Sequence, residues 1–552
     1  MMIRTSRSPR LCWTIALLAI LLPAARSQAL TPDLEVIAVS GQSALEPIDG
    51  YEARSVGARL LGADGQVAFS VLMKGSGIDN WLHSLWRSDQ QHTEMVALAG
   101  EPAPGTNDGS VYGLLDPQRF VSDGTLYFLS DLSPIGRERS KGLLAHAAGG
   151  SATLQARFTE TYRDHMSINQ NGLTVVFAND RNIYLYEHLS SSPRLAFERG
   201  SNAPGFDVDQ PLALGVPSLN NQGLFVAGGG LRSSDKNNTG YWTVNQAGDV
   251  TQVVREGSPA PHSLPMAEFG DMNLFFRAFP SRAVINDAGQ VAFHTGVRLS
   301  TTPVDEYEDF AIWATDSAGV LHPIAERSAL APGGGGLVFD YLFEPLISNH
   351  GDVVFAGDLR TSSPEQIFSN SGIWKGRVDE DLVPVALEGQ QAPGLPTGAV
   401  FGDFGFAAEV ALEGGSFEVN GSGRVAFTAR LRISPDADLE LGNSPHGIWA
   451  EDLNGELQLI AHTGGTIDVD PDPAAVDERV IQSIWSLGAI NGNVSQQYFN
   501  DRGQILFTAT FTDGTTGVFV SNLVAVPEPA GLALIAAAAG LLRRPRRHAA
   551  PI

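Results

Sequence analysis

The sequence predicts an all-β fold: a β-propeller of eight four-stranded blades, closed by three C-terminal strands plus one N-terminal strand. Three observations predict it. One short phrase recurs eight times along the body, and two other phrases follow it in a fixed order. The body also opens with a lone copy of the phrase that ends each unit, and it stops where that phrase is next due. Composition agrees, because 60 Gly and 32 Pro in 552 residues supply turns and oppose long helices.

The first phrase is an Asn or Asp, two residues, Gly, and a short apolar run ending in Phe. Clear copies are Asn286–Phe293, Asn420–Phe427 and Asn500–Phe507, and weaker ones carry the glycine at Gly65, Gly124, Gly172, Gly223 and Gly351. Successive glycines lie 59, 48, 51, 66, 62, 72 and 80 residues apart. Asn or Asp starts a turn by bonding its side chain to nearby backbone. Glycine supplies the left-handed residue that closes a short β-loop. An apolar run after it reads as a strand covered on both faces.

The second phrase is a small residue, an aliphatic and an aromatic: Gly240-Tyr241-Trp242, Ala311-Ile312-Trp313, Gly372-Ile373-Trp374, Gly447-Ile448-Trp449 and Gly517-Val518-Phe519, with Leu85-Trp86 and Gly142-Leu143-Leu144 as degenerate copies. A row of Trp reads either as a sugar-stacking surface or as the filling of one gap in every repeat, and repetition at one register favours packing. The third phrase is an apolar strand, Gly, two residues and Ala-Pro, as in Val96–Pro104 and Val385–Pro393, with proline expected at the strand exit. Together the phrases give four strands per unit, the pattern of propeller blades rather than of a solenoid. Ile37–Ala44 is the fourth-strand phrase standing alone, and the last unit ends after its third strand. Pairing Leu34–Ser40 with Gly517–Leu523 completes an eighth blade and hides two sheet edges.

Both ends read as addresses. Residues 1–29 carry Arg4, Arg7 and Arg10, an apolar run Leu11–Leu22, Pro23 and then small residues, the layout of a secretory signal peptide. Residues 525–552 carry Pro527, Glu528 and Pro529, an apolar stretch Ala530–Leu542, and Arg543, Arg544, Arg546 and Arg547. That order places the arginines on the cytoplasmic side and the body, residues 30–524, outside. Thirteen apolar residues are short for a stable span of roughly 20, so the segment reads as a membrane helix inserted transiently for sorting. The tail resembles the PEP-CTERM sorting signal. The resemblance implies export by the Sec machinery, recognition by an exosortase, and a cell-surface or extracellular location often associated with exopolysaccharide. The Asn-x-x-Gly-x-x-Ala-Phe phrase is similar to the tandem repeats of bacterial surface proteins that carry varied C-terminal anchors. The copies at Gly124, Gly172 and Gly223 depart from it, with Tyr127-Phe128, Val176-Phe177 and Val226-Ala227 at the Ala-Phe positions. That resemblance implies location and architecture, and no activity.

The formal charge is −25, and without the eight arginines of the two ends it falls to −33, which opposes nucleic acid as a partner. The one cysteine, Cys12, lies in the leader, so the body carries no thiol chemistry. The sequence holds no nucleophile elbow, zinc-type His spacing, phosphate loop or EF-hand loop, and the histidines, among them His83, His165, His294, His350 and His462, are scattered. No catalytic residue and no cofactor is assigned. The best metal candidates are Asp468, Asp470 and Asp472, near Asp477 and Glu478, either as Ca²⁺ ligands or as an acidic solvated loop; Asp305–Asp309 is a weaker cluster. The longest insertions, 394–420 and 464–500, are where recognition could sit, and Trp485 in the second is an off-register aromatic on an expected loop. The reading is an exported, non-catalytic surface or matrix protein that binds polysaccharide or another envelope component, or serves as a structural module. The alternative is a secreted glycan hydrolase or lyase, which needs paired carboxylates at one mouth of the ring.

Overall fold

Each repeat of the three phrases folds into one antiparallel sheet. The computed structural model describes residues 33–523 apart from 42–44, 46–50, 76–80, 90–91, 134–139, 160–165, 178–181, 191, 202–203, 205–211, 232–238, 262–263, 271–282, 300–308, 362–369, 403, 405–416, 434–444, 471–474 and 487–496. Both terminal address segments therefore lie outside the described residues. Every regular element among those residues is a strand, and the strands form eight sheets. We number these sheets as blades 1 to 8 along the chain. Blade 1 is Tyr51–Leu61, Val67–Gly75, Trp81–Asp89 and His92–Leu98, paired in that order. Blade 8 is Glu478–Ser486, Gln504–Phe511 and Thr516–Asn522, with Asp33–Val39 as its fourth strand.

The closure joins the two expected segments. Asp33 pairs with Asn522, Glu35 with Val520 and Val39 with Gly517, and the Ser40 N–H donates to the Thr516 carbonyl at 2.8 Å. A bulge proves the equivalence of this strand to the others. In blades 1 to 7 the third-to-fourth pairing slips beside the aromatic position, at Leu85/Trp86, Leu143/Leu144, Ile183/Tyr184, Tyr241/Trp242, Ile312/Trp313, Ile373/Trp374 and Ile448/Trp449. Across the closure the same slip falls between Val36 and Ala38, opposite Phe519 and Val518. Bulges raise local twist, and here each blade carries one at the same place.

First strands form the inner wall, since those of neighbouring blades pack on each other: Tyr51–Leu61 on Val111–Phe120, Met166–Ile168 on Leu212–Leu219. Antiparallel order puts the Asn turns, between first and second strands, on one face of the ring with the third-to-fourth turns. The second-to-third loops and the blade-to-blade links take the other face. Asp33 and Asn522 are at the Asn-turn face, so the chain enters and leaves the ring side by side there.

The Trp row is core. Trp242, Trp313, Trp374 and Trp449 are fully buried. Each lies opposite the second-strand Phe or its equivalent, and Phe355–Trp374 and Phe427–Trp449 stack at 6.1 and 6.0 Å. A first-strand Phe closes the other side edge-on: Phe269, Phe339 and Phe401 stand 4.8, 4.9 and 5.0 Å from Trp313, Trp374 and Trp449. Burying each indole contributes roughly 4–6 kcal/mol before entropy is counted. The small residue two places earlier makes room, since a Cβ on Gly447 would meet the Trp449 ring at 2.7 Å.

One expectation changes. The Ala-Pro phrase is not a simple strand exit. After the glycine it hairpins onto the next first strand: Gly100 N–H to Tyr112 carbonyl, Tyr112 N–H to Glu101 carbonyl, Ala103 N–H to Ser110 carbonyl. The same triplet recurs at Gly257, Phe269 and Ala260 and at Gly389, Phe401 and Ala392. Its proline carbonyl then accepts the indole N–H, Trp374 to Pro332 at 3.1 Å and Trp449 to Pro393 at 3.0 Å. The departing copies at Gly124, Gly172 and Gly223 still build regular sheets, although the strands of blade 3 hold only three or four residues each. Pairing there is carried by backbone, which tolerates the altered Ala-Phe positions.

Candidate functional site

The Asn turns meet at one mouth of the bore. All eight repeat glycines, Gly65, Gly124, Gly172, Gly223, Gly289, Gly351, Gly423 and Gly503, hold φ between 79° and 86°, as the left-handed slot requires. Each Asn Oδ1 accepts its own turn's N–H groups, as Asn420 does from Arg424 and Ser422. Each Asn Nδ2 then reaches the next blade. Asn169 donates to the Asn220 carbonyl, Asn220 to Asn286, Asn286 to Ser348, Asn420 to Asn500 and Asn500 to Gly62, at 2.9–3.1 Å. These five amides are almost wholly buried. The turn was legible in the sequence, but this second arm was not, because its acceptor lies 50 to 440 residues away with no fixed residue type.

The residues just inside this belt carry the mouth's charge. Arg59, Asp116, Arg119, Glu418 and Tyr498 come from the first strands of blades 1, 2, 7 and 8 or the entry to their turns, and Asp287 from the turn of blade 5. Burial pushes the Tyr498 hydroxyl up to about 12, with Arg59 opposing and Glu418 and Asp116 adding. Burial likewise lowers Arg119 to about 10, against the pull of Asp287 from three blades round the ring. The carboxylates here are spent on structure. Asp287 accepts the Asn221 N–H at 2.8 Å, the Asn221 Nδ2 at 2.9 Å and the Asn349 Nδ2 at 2.8 Å. Glu418 Oε2 accepts the Tyr498 and Phe499 N–H groups at 2.9 and 3.0 Å.

Of the sequence candidates, Asp468 and Asp470 lie in the hairpin that leads into blade 8, and Asp472 lies outside the described residues. Asp468 Oδ1 accepts the N–H groups of Asp470 and Asp477 at 3.1 and 2.9 Å, so this carboxylate shapes the hairpin. Arg479 holds Asp477 at 2.6 Å and keeps its pKa low. Among the described residues no group of three or more His, Cys, Asp or Glu is placed to hold a metal. Asp309, the one described member of the weaker acidic cluster, is buried at the start of a blade 5 strand. His294 is also buried, which pushes its imidazole down to about 3. The sorting residues Pro527, Glu528, Pro529, Arg543, Arg544, Arg546 and Arg547, and His165, lie outside the described residues. Among the described residues no helix is long and apolar enough to cross a membrane.

Trp485 is the correction that matters for function. It stands on the first strand of blade 8, Glu478–Ser486, not on a loop. It pairs with Thr508 and is 59% exposed. Its strand has no mark in the sequence because 13 residues separate its end from Asn500, while in blade 1 the first strand runs straight into the turn.

A family model described as a family of unknown function matches residues 28–330 and 324–533. No curated protein matches the chain. Among solved structures, an oligogalacturonate lyase in complex with manganese is 12% identical over 75% of this chain and 98% of its own, at a TM-score of 0.35. An oligogalacturonate lyase from Vibrio parahaemolyticus is 12% identical over 81% and 97%, at 0.36. The Dos1 propeller is 9% identical over 86% and 94%, at 0.38. Likeness at this level does not reach activity.

Proposed function

The chain belongs to the DUF7453 family of unknown function, and from that premise we propose that it is an exported, non-catalytic propeller held at the cell surface by its C-terminus, acting as a binding or structural module of the envelope or exopolysaccharide. The observation that carries this reading is the pairing of Asp33 with Asn522. The last described residues leave the ring at the Asn-turn face, beside its first strand. A chain tethered through its tail would turn that tight, belted face toward the membrane and the second-to-third loops outward. Such loops on a rigid frame suit recognition. The sorting tail would be read by an exosortase after Sec export, with its helix in the membrane only until processing. The alternative, a glycan hydrolase or lyase, needs two carboxylates free to act on one bond. Asp287 and Glu418 instead serve as acceptors for backbone and amide donors, which supports the binding reading.

The test compares the full chain with one ending at residue 524, in a host with and without its exosortase. The full chain should label at the cell surface only where the exosortase is present, and the shortened chain should appear in the medium. Equal surface labelling of both chains would overturn the tethering.

A further inference from the structure

The unengaged indole in the bore has a chemistry of its own. Among the described tryptophans, Trp86, Trp242, Trp313, Trp374 and Trp449 are buried. Trp81 is exposed, but the Lys74 ammonium sits 5.4 Å from its ring centre. Trp485 is more exposed still, at 59%, and no hydrogen bond of its Nε1–H and no ring contact is found among the described residues.

Its position follows from register. Residues opposite each other in an antiparallel pair point to the same face, and Trp485 lies opposite Thr508. The Thr508 hydroxyl accepts the Ala58 N–H at 2.7 Å. The indole is therefore on the face of blade 8 that turns toward blade 1. The first strand of blade 1 packs chiefly on the second and third strands of blade 8. On this side Val480, Gln482 and Trp485 are exposed. On the opposite side Ile481 and Ile484 are buried with Ile448, Ile460 and Phe507, so the strand is firmly seated and presents one open face to the bore.

We propose that Trp485, with Gln482, is a stacking platform for a pyranose ring of a neutral polysaccharide lying along the exposed face of the first strand of blade 8. A sugar ring matches one isolated indole: its C–H face covers the ring, and its hydroxyls meet the amide and water at the edge. A peptide or lipid would need a broader apolar surface than one indole and one valine. The net charge of −25 selects against polyanions and favours an uncharged chain. This inference rests on the binding reading above.

The experiment is affinity electrophoresis of the chain from residue 30 to 524 through gels holding soluble glucan, mannan, galactan or xylan, with polygalacturonate as the charged control. The wild type should be retarded by at least one neutral polymer and not by polygalacturonate. Trp485→Ala should weaken that retardation about ten-fold or more, and Trp485→Phe should keep part of it. The indole is exposed, so both variants should unfold at the wild-type midpoint. Undiminished retardation of Trp485→Ala would overturn this site while leaving a binding module intact. Absence of retardation by every neutral polymer, or retardation by polygalacturonate alone, would also overturn it. Neither result bears on the tethering, which surface labelling reads separately.

Discussion

The Asn500 side-chain amide donates to the carbonyl of Gly62, 438 residues earlier in the chain, at 3.0 Å. Its Oδ1 at the same time accepts the Gln504 N–H of its own turn. One side chain thus shapes a hairpin and binds the last blade to the first. Four other asparagines do the same between successive blades.

The two arms are separable by substitution. Blade 6 has Ser348 in the Asn position, and its hydroxyl accepts the Asp352 and His350 N–H groups without any bond to blade 7. Asn420→Ser should therefore keep the turn and lose only the bond to blade 8, costing about 1 kcal/mol. Asn420→Ala should lose both and leave buried groups unpaired, costing about 2–4 kcal/mol. Urea unfolding midpoints of wild type and the two variants check the order: an Asn420→Ser midpoint equal to wild type would show that the inter-blade arm carries no weight, and equal losses in the two variants would show the same of the turn arm.

Gly423 should be less replaceable than its left-handed conformation alone requires. A Cβ there would meet Asp352 Oδ2, of the preceding blade, at 2.0 Å, whereas one on Gly455 would meet nothing within 4 Å. Their φ values are alike, 81° and 78°. Gly455→Ala should cost about 1 kcal/mol from backbone alone. Gly423→Ala should cost about 2–3 kcal/mol, as the Asp352 carboxylate is displaced. Thermal midpoints of the two variants read the difference.

Buried His294 should make the fold acid-sensitive. An unfolded chain holds a proton on this imidazole below about pH 6.5, and burial keeps the folded one neutral down to about 3. In that window the unfolded state binds more protons, so stability falls as pH drops through it. His294→Leu should flatten the pH dependence of the unfolding midpoint between those values. An unchanged slope would remove His294 as its source.

Much of this architecture was legible because it repeats. Gly289, Gly423 and Gly503 announced left-handed turns by recurring three residues after an Asn, and Trp313, Trp374 and Trp449 announced core by recurring at one register. The pairing of segment Leu34–Ser40 with Gly517–Leu523 was legible because a fourth-strand phrase stands alone at one end of the body and is missing at the other; the register within it, Glu35 opposite Val520, was not. What repetition does not carry stayed hidden. The Asn amide's second acceptor is a backbone carbonyl, which has no sequence signature. Trp485 occurs once, on a strand that an insertion separates from its turn. Arg119 and Asp287 influence each other only because the ring brings blades 2 and 5 across one bore.

The closed ring is tested most directly by joining its two ends. The only native cysteine is Cys12, so a chain begun at residue 30 with Asp33→Cys and Asn522→Cys has no competing thiol. Directly paired strand residues lie within disulfide reach. Mild oxidation should give one intramolecular disulfide, seen as a monomer of altered mobility on a non-reducing gel and a raised unfolding midpoint. Thiols that stay free, or bonds that form only between chains, would contradict a ring sealed by its own first strand.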